Sequence, residues 1–175
     1  MNAANSTSGP VADEHAAWET QAPDAIIAFI LRRFHEPLRR DLPLLARAAR
    51  LVEAAATGSS LRPIGLADHL DQILMAVESH LAKEEKILFP LILAGRGGSA
   101  FMPIKVMMAE HEDHVANLER TRALTRDFAL PADAAHAWRT LYLDLQRLEA
   151  DLNQHIQLEN NVLFTRVMGG EGGGR

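Results

Sequence analysis

The sequence predicts an all-α protein, an up-and-down four-helix bundle, on three observations. Four long stretches carry apolar residues at alternating three- and four-residue steps, and none alternates strictly as a strand would. Gly, Ser and Pro fall in three gaps between these stretches. Each stretch is about 25–35 residues, or roughly 40–50 Å at 1.5 Å per residue, long for a globular domain and suited to a bundle.

The first helix is expected over residues 24–57, with Asp24 as N-cap behind Pro23 and a stop at Gly58-Ser59-Ser60. Pro37 and Pro43 lie inside it and predict a kink or a broken turn. The second is expected over 64–94, followed by a loop at Gly95-Arg96-Gly97-Gly98. The third starts near Pro103, read as a first-turn residue, and runs to about 127. The fourth follows Pro131 and covers 132–168. The bundle thus occupies 23–168, between a polar tail (1–22) and a flexible Gly-rich tail (169–175).

A chain of 175 residues, 47% apolar, is one domain able to bury its own core. It has no cysteine, which excludes disulfides, thiolate metal sites and iron–sulfur clusters ligated by this chain. A net charge of -5 argues against nucleic acid as a partner. No apolar run approaches the roughly 18 residues of a membrane span. The first residues are polar and acidic, unlike a signal peptide, so a cytoplasmic protein is expected. Few apolar residues should remain exposed on such a bundle, and a monomer is expected.

Stepping by three and four residues gives the inward line of each helix. Helix one yields Leu31, His35, Leu38, Leu42, Leu45, Ala49 and Val52, and helix two Leu66, Leu70, Ile73, Val77, His80, Glu84, Ile87 and Leu91. Helix three yields Ile104, Met108, His111, Val115 and Leu118, and helix four Leu141, Leu145, Leu148, Leu152, His155, Glu159 and Val162. Apart from arginines where helices three and four run out, every position is apolar except His35, His80, Glu84, His111, His155 and Glu159. A weak repeat relates the two halves: each supplies a lone His, then His-x-x-x-Glu followed by Leu-Phe.

Residues at i and i+4 stack on one helix face, so each His/Glu pair presents a nitrogen and a carboxylate to one cavity. Four imidazoles and two carboxylates suit two metal ions, because carboxylates can bridge. With a solvent-derived bridging oxygen, one open position would remain on each six-coordinate ion for a small ligand. Nitrogen and oxygen donors inside a bundle point to non-haem iron, while ligand type alone leaves manganese and zinc open. A single His on an apolar stripe is usually a satisfied core residue. Six ionisable residues on four apolar lines are a different case, since each unpaired buried charge costs several kcal/mol.

The remaining candidates read more plainly. His69 lies about 16 Å up the axis from His80, too far for the same centre, and is expected in solvent or in a supporting role. His114, one turn beyond His111, is a candidate supporting donor or substitute ligand. His136 and His15 should be solvated, as should the faces bearing Glu85, Glu110 and Glu112, with proton relay a lesser alternative for Glu110. Phe101, Met102, Met107 and Met108 are expected to pack the core.

The stretches HLAKEEKILFP from His80, EHEDH from Glu110 and HIQLENNVLFTR from His155 resemble the hemerythrin-like fold. More narrowly, with RFHEPLRRDLPLL from Arg33, they resemble the RIC family of iron–sulfur cluster repair di-iron proteins. The similarity runs from about residue 25 to 167 and implies the same six ligands. It also implies two iron ions, oxo- or hydroxo-bridged. Hemerythrins proper carry a fifth histidine, for which no inward residue is found. Members of the repair family usually carry a small N-terminal domain with paired cysteines, absent from this sequence; thiol-dependent repair would then need a partner. Thr165 stands where the family usually has proline.

The expectation is a di-iron protein that binds and processes nitric oxide under nitrosative or oxidative stress, with damaged iron–sulfur proteins as partners. A hemerythrin-like reversible oxygen carrier or sensor is the alternative. A third reading is a metal-responsive interaction protein whose iron mainly holds the bundle together.

Overall fold

A computed structural model describes residues 18–170, so His15 and most of the N-terminal tail lie outside it. Four long helices form, and no strand occurs among the described residues. Helix α1 spans 23–55, α2 spans 66–93, α3 is Gly97–Leu124 and α4 spans 136–169. Helix α1 packs against α2 and α4, and α3 against the same two, which is the expected up-and-down square.

Capping follows local chemistry. Ala22 is the N-cap of α1 and Pro23 its first residue, where a missing N–H costs nothing; Asp24 sits in the first turn rather than at the cap. Gly65, at φ +85°, turns the chain into α2. There the carboxylate of Glu53, from the end of α1, accepts the N–H groups of Gly65 (3.2 Å) and Ala67 (2.6 Å). An anion at a helix N-terminus satisfies otherwise orphaned donors.

Three helices are not α-helical throughout. Leu31–His35 in α1, Glu84–Leu88 in α2 and Glu159–Phe164 in α4 are π-helical. The Glu36 N–H reaches back five residues to the Leu31 carbonyl, and the Phe89 N–H to that of Glu84. Each wide turn holds one extra residue. The first accommodates Pro37, so the break expected there is a widened turn in a continuous helix; Pro43 also lies within continuous helix. In the third, the Thr165 hydroxyl donates to the Asn160 carbonyl, five residues back (2.9 Å).

The wide turn in α2 also corrects the inward line. Beyond Glu84 the regular step predicts Ile87, which is 52% exposed, while Leu88 and Ile92 are buried. On α3 the line is rotated by one residue. Ile104, Met107, His111, His114 and Leu118 face inward, while Val115 is 38% exposed and Met108 only partly buried. Helix α3 starts at Gly97, so Gly97 and Gly98 are its first turn and Pro103 lies further inside it. With Ala100 and Ile104 setting the inward face, Phe101 and Met102 turn outward instead of packing the core. Helix α4 starts at His136 because 131–134 forms a turn, Ala134 N–H to Pro131 carbonyl.

Candidate metal centre

The wide turns lie at one level of the bundle and carry three of the six expected ligands. His35 ends the first, while Glu84 and Glu159 open the other two. All six residues are almost completely buried. They form two groups whose ligand atoms lie within 4.8 Å of one another: His35, Glu84, His155, Glu159 and His80, Glu84, His111, Glu159. Sequence reasoning placed all six, and the structure brings them together.

Every imidazole turns Nε2 inward. The Nε2 atoms of His35 and His155 are 3.2 Å apart, as are those of His80 and His111. Each carboxylate divides its oxygens between the groups. Glu84 Oε2 lies 3.4 Å from His35 Nε2 and Oε1 3.4 Å from His80 Nε2. Glu159 Oε1 lies 3.0 Å from His155 Nε2 and Oε2 3.1 Å from His111 Nε2. Despite this proximity, none of the four carboxylate oxygens has a hydrogen-bond partner. Buried carboxylates normally do find donors. Nitrogens packed against nitrogens, around carboxylates with no hydrogen bond, fit a cation as the common target. The donor set is that of a divalent first-row ion.

The outward nitrogens fix the rings. His35 Nδ1 donates to Glu85 (2.8 Å), His80 Nδ1 to Glu110 (3.0 Å) and His111 Nδ1 to the Asn160 side-chain oxygen (2.9 Å). These bonds set the tautomer that leaves the Nε2 lone pair inward. Arg39 holds Glu85, and Lys83 holds Glu110. Glu85 and Glu110 are therefore not merely solvated; they orient ligands while staying part-exposed. Both adjoin a ligand in sequence, as does Asn160, which the apolar pattern does not flag. Glu112 is exposed as expected. His155 Nδ1 has no partner.

Phenylalanines stack on three of the four ligand imidazoles: Phe89 on His35 (5.7 Å), Phe34 on His155 (5.2 Å) and Phe164 on His111 (6.0 Å between centroids). His80 instead meets His114 edge-on, at 4.8 Å. His114 is 3% exposed, and neither of its nitrogens has a partner. It belongs to neither ligand group.

In the metal-free protein, burial opposes charge on His80, but Glu84, Glu159 and Glu110 outweigh it and raise its pKa to about 9. His35 shifts the same way, against burial, through Glu84, Glu159 and Glu85. Glu159 is held well below the usual carboxylate range by His155 and His111, although burial works the other way. His114 goes down to about 3, through burial first and then the electrostatic influence of the neighbouring histidines, His80 foremost.

The other histidines are elsewhere. His69 is buried rather than solvated, with Nε2 donating to the Asn117 carbonyl (2.9 Å), and takes no part in the centre. His136 is exposed on α4, bonded to the Thr140 hydroxyl (3.0 Å).

Residues 27–167 match the hemerythrin HHE cation binding domain. The chain is 42% identical over 157 residues to the iron–sulfur cluster repair protein YtfE of Edwardsiella ictaluri, covering 90% of this chain and 71% of that one. It is 43% identical over 154 residues to the YtfE of Musicola paradisiaca, covering 88% and 69%. No helix among the described residues is long and apolar enough to cross a membrane. With both of its four-residue ligand groups built from the histidines and glutamates of this bundle, the chain belongs to the hemerythrin HHE cation-binding family, alongside the proteins named for iron–sulfur cluster repair.

Proposed function

We propose that this chain is a cytoplasmic non-haem di-iron protein of the iron–sulfur cluster repair type, which binds and processes nitric oxide under nitrosative or oxidative stress. The observation that supports it most is the division of Glu84 and Glu159, each lending one oxygen to each histidine pair. Two carboxylates so placed suit a pair of neighbouring ions, which a single ion would not require.

Bound iron would supply redox chemistry and an open position for a diatomic ligand. The protein's own part is to hold four neutral Nε2 donors inward by means of Glu85, Glu110, Asn160 and the stacked phenylalanines. Phe34, Phe89 and Phe164 also keep water from the imidazole faces, which strengthens the charge interactions inside. With no cysteine in the sequence, repair of a damaged cluster would rely on the thiols of the cluster protein or of another partner.

Anaerobic iron loading followed by nitric oxide tests the reading. Two irons per chain and a nitrosyl spectrum are expected, with strong loss of that spectrum in His111→Ala or Glu159→Ala. One iron per chain, or nitric oxide binding unchanged in both variants, would overturn it. Reversible oxygenation of the reduced protein would instead assign a carrier or sensor.

A further inference from the structure

Of the four inward histidines, His80 is the one with no phenylalanine stacked on it, and its neighbour is the imidazole of His114. Phe89, Phe34 and Phe164 lie flat against His35, His155 and His111, closing those faces with apolar carbon. The ring of His80 instead meets a second imidazole nearly at right angles, at 88° and 4.8 Å between centroids. That ring is buried and bonded to nothing through either nitrogen. Every other imidazole of the centre uses its outward nitrogen or is packed by phenylalanine. A buried polar ring without partners is costly in a fold that could have carried an apolar residue at this position.

The helix explains where the ring points. His114 follows His111 by three residues on α3, so both side chains lie on one inward face. Its ring centroid lies 4.8 Å from that of His80, which places it against the centre. Its nitrogens nevertheless fall outside both groups of converging ligand atoms, so it is not placed as a seventh ligand. A neutral imidazole offers one N–H and one lone pair.

We infer that His114 is a positioning residue for the exogenous ligand: its ring hydrogen-bonds a small anion, or a diatomic made partly anionic by the metal, held beside His80 and His111. The inference rests on the di-iron reading. It adds that the two halves of the centre differ, because the side built from His80 and His111 has beside it a further imidazole, outside both ligand groups, with both nitrogens unpartnered. Exogenous ligands are therefore held preferentially on that side.

The test uses the full-length, iron-loaded, oxidised protein with azide as the probe. In the unsubstituted protein, the stretching frequency of bound azide should shift on exchange into deuterium oxide, reporting an exchangeable N–H against it. In His114→Leu, iron content should stay at the unsubstituted value, azide should bind about five- to twenty-fold more weakly, and the isotope shift should vanish. His114→Gln retains a donor and should recover much of the affinity, and it serves if the leucine variant fails to fold. Azide affinity unchanged within twofold in both variants, or no isotope shift in the unsubstituted protein, overturns the inference. So does loss of iron in His114→Leu, which would make the ring a ligand. Failure of the unsubstituted protein to take up iron is a separate outcome that removes the di-iron reading itself.

Discussion

The imidazole of His35 donates from Nδ1 to Glu85, the residue next in sequence to the ligand Glu84. One turn of α2 thus supplies both a ligand and the group that orients a ligand on α1, and Arg39 of α1 closes the loop on the same Glu85 oxygen (2.6 Å). Groups that orient a ligating histidine are commonly worth ten- to a hundred-fold in metal affinity. Glu85→Ala should weaken iron binding by about that factor, measured by competition with a chelator, while changing melting temperature little in the metal-free state because the side chain is part-exposed.

The metal-free protein should be most stable near pH 6–7. The raised pKa of His80 gives stability that is complete below 6.5 and is lost as pH rises towards about 9, on the order of 3 kcal/mol. His114, pushed to about 3, stays neutral when folded but protonates when unfolded, so stability falls as pH drops below 6.5. The lowered pKa of Glu159 adds to that acid loss as pH falls below the ordinary carboxylate range. Denaturant unfolding from pH 4 to 10 should trace this dome, and His114→Leu should flatten its acid limb. A curve flat from pH 6.5 to 9 would contradict the assignment for His80.

Between α3 and α4, Arg126, Asp127 and Phe128 all adopt left-handed backbone, with φ of 49°, 58° and 59°. For residues with a Cβ this costs roughly 1–2 kcal/mol each. Phe128 is anchored by packing on Tyr142, and Asp127 by an ion pair with Arg122. Arg126 is exposed. Arg126→Gly should raise unfolding free energy by about 0.5–1 kcal/mol after the added flexibility of glycine is counted. Urea titration would reveal it; a destabilised variant would mean the Arg126 side chain holds the turn.

Deleting Lys86, an exposed residue in the wide turn of α2, should convert that turn to α-helix. Leu88 and Ile92 would then fall on the regular three- and four-residue steps from Glu84 and keep facing the core. Circular dichroism should still report helix and unfolding should stay cooperative, while iron uptake falls because the wide turn that opens at Glu84 is gone. Retention of two irons would show that the wide turn is dispensable.

The bundle and the six converging residues were legible in the sequence because ionisable residues stand out sharply on apolar lines. What surrounds them was less so. Glu85, Glu110 and Asn160 sit one residue off a ligand, where a helical wheel predicts solvent; long side chains nevertheless reach back to the outward nitrogens. His114 would have emerged from stepping three, then four residues from Ile104, which gives Met107, His111 and His114. The step of four, then three is equally apolar at its start and leads to Val115. Ile87 failed for another reason: regular stepping assumes 3.6 residues per turn, and α2 departs from it at Glu84.

That departure divides the sequence pattern. A wide turn absorbs one extra residue, so the apolar pattern beyond it is displaced by one place in the sequence. Three helices take such an insertion at the level of the metal ligands, while α3 takes none. The layers above, built around Leu42, Leu70, Ile73 and Leu145, and those below, around Phe89, Ile92 and Leu163, therefore follow different phases of the sequence pattern. The centre lies within one continuous apolar core, at the level where the sequence spacing of three helices changes, and its six polar side chains occupy that level.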